Sequence, residues 1–267
     1  MKVGLIGDIH GRNFWRLSVH KMLLEGVDKI IFLGDYLDPY QKEIEENPKL
    51  MECNSFDDAD NLLKMLEDIV SLKKIEPKKY ILLTGNHTDS YIWSKFRAAT
   101  RTDYINWEKY HKFFLENLEY FNLVWIENNV IFSHAGISEG WAEAVAIELS
   151  LTINLNNPVK SIAKYLSNVD LNNILDKKLI KLLGDISSYR SGDSYYGSCE
   201  WADLREHIDH HLTEVEEKIV PLGEDGIYQI FGHTQLQKGL VTDKWACLDC
   251  KKGFIFDTIT HDCSSCL

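Results

Sequence analysis

Short apolar runs rich in β-branched residues recur along the chain and predict buried strands. They span residues 2–6, 29–33, 80–83, 130–132 and 227–231. A short, continuous apolar run that stops at a glycine or a polar turn is typical of a strand covered on both faces. Between these runs, residues 12–25 and 58–72 carry apolar side chains at helical spacing, which predicts amphipathic helices. The alternation of strands and helices predicts βαβ units and hence an α/β domain.

Polar side chains that can bind a metal ion follow each of these strands. Asp8 and His10 come after the first strand, and a glycine precedes the polar residue after the first, second, third and fifth strands. The full set is Asp8, His10, Asp35, Asn86, His134 and His233. In α/β sheets, ligands bind beyond the carboxyl ends of the strands. Because the arrangement recurs, we expect these side chains to meet at one site.

The charge of the chain narrows the range of partners. Its 267 residues carry a formal net charge of −12, and 45% of them are hydrophobic. An acidic chain disfavours binding to duplex nucleic acid, which needs a basic face to displace counterions. No apolar run approaches the ~20 residues of a membrane span, and the N-terminus does not resemble a leader. We therefore expect a cytoplasmic protein without a membrane partner.

The remaining segments predict a single domain that spans residues 1–267, without repeats or linkers. Residues 39–57 are polar and indicate a long loop, whereas residues 198–218 indicate a charged helix. Further helical patterns near 138–197 predict an insertion over the site. Two short strands near the C-terminal end would close a sheet edge.

Four cysteines near the C-terminal end could bind a structural zinc ion. They form two pairs, Cys247 with Cys250 and Cys263 with Cys266, and twelve residues separate the pairs. Residues 245–267 would then be a hairpin held by tetrahedral thiolate ligands. Because Cys247 and Cys250 are three residues apart, however, a regular strand would point them to opposite sides. The alternative is that they are small apolar residues of a strand.

The metal-competent side chains indicate chemistry at two adjacent ions. Carboxylate, imidazole and amide donors together suit Mn, Fe or Zn better than Mg alone. We expect Asp35 to bridge two divalent ions, which would generate a hydroxide that attacks phosphorus in line. His87, directly after Asn86, is the expected general acid for the leaving alkoxide, and Asp38 would orient it. Alternatively, Asp38 caps the segment that follows it.

Five ordered motifs give the chain a specific resemblance to a known family. They read GDIHG, GDYLD, GNH, SHAG and FGHT and begin at residues 7, 34, 85, 133 and 231. In this order they resemble the calcineurin-like metallophosphoesterases. Within that family they are most similar to the branch of serine/threonine phosphoprotein phosphatases and bacterial diadenosine tetraphosphatases. The resemblance implies a four-layer α/β/β/α sandwich with mixed sheets and a dinuclear metal centre.

The resemblance also implies a role for each motif residue. The first ion would be held by Asp8, His10 and Asp35, and the second by Asp35, Asn86, His134 and His233. His87 and Asp38 match the family's general acid and its partner. The expected cofactors are therefore two divalent ions, with Mn, Fe or Zn favoured.

The chain departs from the family pattern at three positions. The phosphatase branch has an arginine directly after the residue that matches Asp38, where it binds phosphate, but this chain has Pro39 and Tyr40. The acid that usually follows the third motif is Thr88. The second histidine of the nuclease-like branch is replaced by Gln235. The first departure weakens an assignment as a protein phosphatase, and the third weakens an assignment as a nuclease.

Three arginines are candidates to replace the missing one. Arg190 ranks first because it lies in a loop rich in Gly, Ser and Tyr, Arg205 ranks second, and Arg12, just after the first motif, ranks third. The loop resembles the segment of the bacterial phosphatase branch that carries a phosphate-binding arginine near a tryptophan. Guanidinium groups match phosphate oxygens in pairs. Alternatively, these arginines form surface ion pairs.

Three histidines fall on the predicted charged helix, namely His207, His210 and His211. We expect them to form a solvated face of that helix. Metal binding is the alternative, because neutral imidazole is a common ligand.

Taken together, these features predict a phosphoesterase that hydrolyses phosphomonoesters, with phosphoserine and phosphothreonine proteins as one candidate class. The partner would be a phosphorylated small molecule, nucleotide or phosphoprotein. The first alternative is a hydrolase of dinucleoside polyphosphates or other nucleotides, in which Tyr195 and Tyr196 would stack on a base. The second alternative is a non-catalytic scaffold that keeps the fold.

Overall fold

Two β-sheets packed face to face lie at the centre of the structure, which is a computed structural model. The structure describes residues 1–93, 99–173, 176–207 and 226–266. In chain order, the strands are β1 (Lys2–Ile6), β2 (Lys29–Phe32), β3 (Tyr80–Leu83), β4 (Phe121–Asn122), β5 (Trp125–Glu127), β6 (Val130–Phe132), β7 (Tyr228–Phe231), β8 (Leu240–Val241), β9 (Trp245–Cys247), β10 (Gly253–Asp257) and β11 (Cys263–Ser265).

Helices connect these strands. They are α1 (Phe14–Leu24), α2 (Gln41–Glu46), α3 (Ala59–Ile75), α4 (Asn86–Ile92), α5 (Trp107–Asn117), α6 (Glu139–Glu148), α7 (Pro158–Leu166) and α8 (Lys177–Leu183), with short 3-10 turns at Pro48–Leu50, Leu118–Tyr120, Leu171–Asn173, Ser188–Arg190 and Leu204–His207. Helix α3 illustrates why such a segment forms. Asp58 caps its first turn through the N–H of Asn61, and Leu62, Leu66 and Ile69 form its buried face.

Strand pairing brings the carboxyl ends of several strands to the same edge. The first sheet has the order β11-β10-β1-β2-β3-β4, and the second has the order β5-β6-β7-β9-β8. Strands β1 to β4 are parallel, as are β6, β7 and β9. Ile6 is paired with Phe32, Phe32 with Leu82, and in the second sheet Phe132 with Ile230. The loops that follow these strands therefore begin side by side.

An apolar layer between the two sheets forms the middle of the core. It contains Val3, Leu5, Ile31, Leu33, Ile81 and Leu83 from the first sheet and Val130, Phe132, Tyr228, Ile230, Ala246 and Leu248 from the second-sheet segments. Residues on the other face of the first sheet, such as Ile6 and Ile30, pack against the helices, where α1 and α3 cover that sheet. Helices α6, α7 and α8 pack together beside the second sheet. The predicted four-layer α/β/β/α sandwich is thus confirmed.

The predicted role of the C-terminal strands was wrong. Strand β9 lies inside the second sheet between β7 and β8, and β10 lies inside the first sheet between β1 and β11. The two strands therefore belong to different sheets and neither is at an edge. Their sequences are too short to indicate which partner strand each one would find.

The structure describes residues 198–207 of the predicted charged helix at 198–218, and these residues do not form an α-helix. Residues 198–203 are not helical, and Leu204–His207 form only a short 3-10 turn. His207 is 1% exposed and packs against Phe231, so the prediction of a solvated residue was wrong. Burial lowers its pKa to about 4. His210 and His211 lie outside the described residues.

The long polar segment at 39–57 contains α2 and a 3-10 turn. In the described parts of the chain, no helix has both the length and the apolar character needed to cross a membrane.

Candidate metal centre

The loops after five strands bring the metal-competent side chains together. Asp8 and His10 follow β1, Asp35 follows β2, Asn86 begins α4 after β3, His134 follows β6, and His233 follows β7. None of the six is more than 9% exposed. Hydrogen bonds tie the loops to one another: the N–H of His10 donates to the carbonyl of Asp35 at 2.9 Å, and the N–H of His233 donates to Oδ1 of Asp8 at 3.1 Å. The structure therefore brings together all six residues singled out from the sequence.

Three other ligand atoms lie around Nε2 of His134. This nitrogen lies 3.0 Å from Oδ1 of Asn86, 3.1 Å from Nδ1 of His233 and 3.3 Å from Oδ2 of Asp35. Two ligands at about 2.1 Å from an ion and at right angles to each other are about 3 Å apart. The spacing and the mixture of nitrogen and oxygen donors therefore fit a divalent metal ion.

A second group of candidate ligands shares Asp35 with the first. The ligand atoms of His10, Asp35 and His87 lie within 4.8 Å of one another. Asp8 is adjacent, with its Oδ2 3.8 Å from Nε2 of His10. Because Asp35 belongs to both groups, its carboxylate is in the position of a bridge between two ions.

Hydrogen bonds to backbone carbonyls fix the orientation of two imidazoles. Nδ1 of His10 lies 2.7 Å from the carbonyl oxygen of Leu37, and Nδ1 of His134 lies 2.8 Å from that of Leu33. A carbonyl only accepts, so each Nδ1 carries a proton and each Nε2 faces the centre. This is the arrangement by which proteins orient histidine ligands.

The backbone of the centre adopts conformations that are uncommon outside glycine. His10, Asp35, Asp38 and His233 have φ values of 44°, 44°, 62° and 62°. Such left-handed positions cost conformational energy and are concentrated at functional sites. They turn each chain sharply at the end of its strand, so that the side chain faces the centre.

Two motif glycines allow the loops to approach closely. Gly34 has φ +111°, and a Cβ atom there would lie 2.2 Å from the carbonyl oxygen of Thr84. A Cβ atom on Gly85 would lie 2.4 Å from Oδ1 of Asp35 and 2.9 Å from Nδ1 of His134. Any side chain at either position would therefore push these ligands apart.

Burial and mutual proximity shift the pKa values of the centre. Burial would raise the pKa of Asp35, but the imidazoles of His134 and His87 outweigh it and hold that pKa well below its ordinary value. Burial would lower the pKa of His134, but the Asp35 and Asp8 carboxylates hold it well above its ordinary value. Burial, with the charge of His87, lowers the pKa of His10 well below its ordinary value. The centre thus contains an ionised carboxylate and a neutral imidazole, the forms that bind metal.

His87 and Asp38 form a close pair beside the centre. Nδ1 of His87 lies 2.5 Å from Oδ2 of Asp38, and the hydroxyl of Tyr91 donates to Oδ1 of the same carboxylate. Helix α2 begins after Tyr40 without a side-chain cap, so the alternative role of Asp38 as a cap is not observed. Asp38 is therefore in position to orient His87.

Arg190, the first-ranked of the predicted arginines, contacts the loop that carries His233. Its Nη2 donates to the carbonyl oxygen of His233 at 3.3 Å and to Oγ1 of Thr234 at 3.0 Å. Its Nε lies 3.1 Å from a carboxylate oxygen of Asp203. Burial, followed by the charge of Arg190, lowers the pKa of His233 well below its ordinary value. Arg190 is therefore adjacent to the centre and also ion-paired.

The other two predicted arginines form ion pairs instead. Arg205 is more than half exposed, and its Nε lies 2.7 Å from Oδ1 of Asp203. Arg12 is buried, but its Nε lies 2.6 Å from Oε2 of Glu43, and its Nη1 donates to the carbonyl of Asp8 at 3.3 Å. Carboxylates and carbonyls already engage the donors of Arg205 and Arg12. The ion-pair alternative therefore fits these two arginines better than the prediction that they bind phosphate.

A fourth arginine, Arg101, was missed by the sequence analysis. It lies in the segment between α4 and α5, with its Nη2 3.5 Å from Nε2 of His10. Its Nε donates to the carbonyl of Asp38 at 3.1 Å, and its guanidinium carbon lies 3.6 Å from the centroid of the Tyr40 ring. Arg101 belongs to no recognisable motif, so only the fold could reveal its position.

Two buried acids behind the centre were also missed. Glu200 is fully buried and accepts a hydrogen bond from Oγ1 of Thr84 at 3.0 Å, and burial raises its pKa to about 7. Burial, together with the charge of Glu200, raises the pKa of Asp89 well above its ordinary value. The imidazole of His134 acts in the opposite direction and lowers both pKa values, but burial outweighs it. Their surroundings therefore favour the protonated, neutral form.

The four C-terminal cysteines do not form one cluster. Sγ of Cys247 donates to the carbonyl of Gly232 at 3.4 Å, Cys250 and Cys263 lie in the layer between the sheets, and Cys266 packs on the helix side of the first sheet. Burial raises the thiol pKa of all four, which disfavours the thiolate that zinc needs. Within residues 1–93, 99–173, 176–207 and 226–266, the groups spaced for a metal ion include no cysteine. The expected structural zinc site is therefore not supported.

A family model extends over most of the chain. The model described as calcineurin-like phosphoesterase matches residues 1–235, a range that contains all six candidate ligands. A search of the curated proteins found no match.

The fold is similar to that of solved cold-active protein-tyrosine phosphatases. A cold-active protein-tyrosine phosphatase of the psychrophile Shewanella sp. has a TM-score of 0.56 at 16% identity, over 100% of this chain and 80% of that chain. Another structure of a cold-active protein tyrosine phosphatase has a TM-score of 0.53 at 17% identity, over 99% and 78% of the two chains. A protein serine/threonine phosphatase from Saccharomyces cerevisiae has a TM-score of 0.47 at 16% identity, over 93% and 66%. At such identities, the first two similarities establish a shared fold.

Proposed function

Because the chain belongs to the calcineurin-like phosphoesterase family, we propose that it is a metal-dependent phosphoesterase that hydrolyses phosphomonoesters. The family depends on a dinuclear metal centre, and the chain has two groups of candidate ligands that share Asp35. The observation that carries the proposal is the convergence of Asp35, Asn86 and His233 on His134, next to the pair of His87 and Asp38. Such a centre, with an acid beside it, is what phosphate ester hydrolysis requires.

We assign a set of ligands to each ion. The first ion would be held by Asp8, His10 and Asp35, and the second by Asp35, Asn86, His134 and His233. His87 belongs by distance to the group with His10 and Asp35, but Asp38 engages its Nδ1. We therefore assign the remaining nitrogen of His87 to proton transfer. The donor set favours Mn, Fe or Zn.

The residues around the ions would divide the chemistry among them. When bound, the two ions supply Lewis-acid activation of a water molecule and of a phosphoryl oxygen. His87 donates the proton on Nε2 to the oxygen of the leaving alcohol while the bond between that oxygen and phosphorus breaks. Asp38 accepts a hydrogen bond from Nδ1 and stabilises the charged imidazole before the transfer. Tyr91 holds the second oxygen of Asp38, so the carboxylate keeps its orientation. The products are the alcohol and inorganic phosphate.

Proteins are one class of substrate that this site could accept. The solved structures with a similar fold are described as protein phosphatases, and this supports phosphorylated proteins as candidates without identifying the phosphorylated residue. One observation keeps nucleotide hydrolysis as the second candidate. The side chains of Tyr195 and Tyr196 are 78% and 40% exposed, and their rings lie 4.7 Å apart in an edge-to-face arrangement. Exposed aromatic rings of this kind can stack on a base.

A comparison of three substrates tests the proposal. The manganese-loaded protein is assayed on phenyl phosphate, on a phosphodiester and on diadenosine tetraphosphate, with Asp35→Asn as the control. We expect the monoester to be preferred and the Asp35→Asn variant to be inactive. A preference for diadenosine tetraphosphate would favour the second candidate. Metal binding without turnover of any substrate would contradict the enzymatic proposal and leave a scaffold.

A further inference from the structure

The guanidinium of Arg101 has a position that the proposed chemistry does not yet use. We propose that Arg101, supported by the ring of Tyr40, binds the terminal oxygens of the substrate phosphoryl group and makes the site selective for phosphomonoesters over diesters. This inference rests on the proposed function, because it assigns a substrate-binding residue to the same site.

The charge of Arg101 has no carboxylate partner among the residues that the structure describes. The other described arginines each form an ion pair: Arg12 with Glu43, Arg16 with Glu52 and Asp68, and Arg190 and Arg205 with Asp203. Arg101 is partly buried, where an unbalanced charge is costly. An anion that binds at this position would balance it.

The position of Arg101 directs its donors toward the metal centre. Its Nη2 is 3.5 Å from Nε2 of His10, the nitrogen whose lone pair we assign to the first ion. Once that lone pair is used for metal binding, Nη2 has no other acceptor among the described residues. A phosphoryl oxygen bound beside His10 would be within reach of this donor. Guanidinium groups bind phosphate through parallel pairs of such hydrogen bonds.

Two contacts hold the guanidinium in place before any ligand arrives. Nε of Arg101 donates to the carbonyl of Asp38 at 3.1 Å, and the guanidinium carbon lies 3.6 Å from the centroid of the Tyr40 ring. A cation over an aromatic face is stabilised electrostatically. Because the side chain is already ordered, little conformational entropy is lost when it binds a ligand. Pro39 and Tyr40 thus occupy the position of the missing family arginine. The guanidinium beside them belongs to Arg101, which lies in the segment between α4 and α5.

This geometry explains how one arginine can discriminate between substrates. A phosphomonoester has three terminal oxygens and a diester has two, because the second ester group replaces one of them. An extra cationic donor beside the two ions therefore has an oxygen to bind in a monoester and loses it in a diester. Arg101 would consequently contribute more to monoester binding than to diester binding.

The test compares Arg101→Ala and Arg101→Lys with the wild-type protein and with Arg16→Ala, a matched control whose arginine lies in a surface ion pair. Metal content is measured first. Binding of inorganic phosphate to the manganese-loaded proteins is then measured by calorimetry, which does not depend on turnover. Finally, kcat/KM is measured for phenyl phosphate, p-nitrophenyl phosphate and bis-p-nitrophenyl phosphate.

We expect Arg101→Ala to keep its metal and to bind phosphate about 10- to 100-fold more weakly, as the loss of charge-assisted hydrogen bonds implies. The kcat/KM for both monoesters should fall by a similar factor, and that for the diester should fall much less. Arg101→Lys should recover part of the loss, because lysine keeps the charge but not the paired donors. Arg16→Ala should resemble the wild type.

Three results would overturn the inference. Unchanged phosphate affinity in a fully metal-loaded Arg101→Ala variant would exclude phosphate binding by this residue. A loss confined to phenyl phosphate, the substrate with the poorer leaving group, would indicate that Arg101 acts through Asp38 and His87. Loss of metal from both variants would indicate a structural role. If the wild type turns over no substrate, the proposed function fails, but the calorimetry still decides whether Arg101 binds phosphate.

Discussion

Oδ2 of Asp38 lies 2.5 Å from Nδ1 of His87, although 48 residues separate the two in the chain. Asp38 follows β2 in a left-handed conformation with φ 62°, and His87 lies in the first turn of α4 after β3. The parallel pairing of β2 and β3 therefore brings the two loops together. The pair leaves only Nε2 of His87 available to a substrate.

Replacing His87 should slow proton transfer to the leaving group. We expect His87→Gln to lower kcat on phenyl phosphate by about 10²- to 10⁴-fold, the usual contribution of a general acid. The loss should be smaller on p-nitrophenyl phosphate, because its leaving group needs less protonation. Steady-state kinetics on both substrates measure the difference. Asp38→Asn should show the same pattern with a smaller loss, and equal losses on the two substrates would argue against an acid role.

Metal binding should stabilise the protein, since the ions bind the folded state. At 100-fold excess over Kd, the stabilisation by one ion is about 2.7 kcal/mol. We expect manganese to raise the Tm of the chelator-treated wild type, and we expect Asp35→Asn to lose most of that shift, because Asp35 belongs to both groups. Asp38→Asn is the matched control and should keep the shift. If manganese raised the Tm of Asp35→Asn as much as that of the wild type, the assignment of Asp35 as a bridging ligand would be contradicted.

A methyl group at Gly85 should disrupt the centre. The added Cβ would lie 2.4 Å from Oδ1 of Asp35 and 2.9 Å from Nδ1 of His134. We expect Gly85→Ala to lower the free energy of unfolding by about 1–3 kcal/mol through overpacking, and to reduce metal content. Chemical denaturation and metal analysis measure the two effects. Gly26→Asn provides a control, because a Cβ at Gly26 meets no atom within 4 Å and Asn tolerates its φ of +66°. Full metal content in Gly85→Ala would show that the loops can move apart.

The buried carboxyl of Glu200 should make the stability of the metal-free protein depend on pH. Burial raises its pKa from 4.5 to about 7, so between these values the folded protein keeps a proton that the unfolded chain releases. Stability is therefore highest below pH 4.5 as far as this group is concerned, and it falls as the pH rises through 7. At about 1.4 kcal/mol per pKa unit, the loss is roughly 3 kcal/mol.

The variant Glu200→Gln tests this dependence, because glutamine stays neutral at every pH. Urea denaturation below pH 4.5 and above pH 7 should show a smaller loss of stability with rising pH for the variant than for the wild type. Glu116→Gln, at an exposed position on α5, is the control and should keep the wild-type dependence. Identical pH profiles for Glu200→Gln and the wild type would exclude Glu200 as the origin.

The sequence by itself determined the strands and the residues that follow them. Each buried strand is a short apolar run, and each motif lies within a few residues of its strand, so local pattern was sufficient to place Asp8, His10 and Asp35 at strand ends. Parallel strands align their carboxyl ends, and the convergence of the motifs then follows from topology. The ordered motifs also indicated the layers of the sandwich.

Only the tertiary structure decided which residues from outside the motifs reach the centre. Arg101 reaches His10, and Glu200 accepts a hydrogen bond from Thr84 behind the centre; both lie in loops that have no characteristic pattern. Arg12, which is adjacent to a motif in the sequence, is instead ion-paired with Glu43. The cysteine spacing allowed a shared site, but β9, which carries Cys247, and β11, which carries Cys263, belong to different sheets. Periodicity and spacing describe contacts within a segment. The partners of a side chain across the molecule depend on how the sheets and loops pack, which no local pattern encodes.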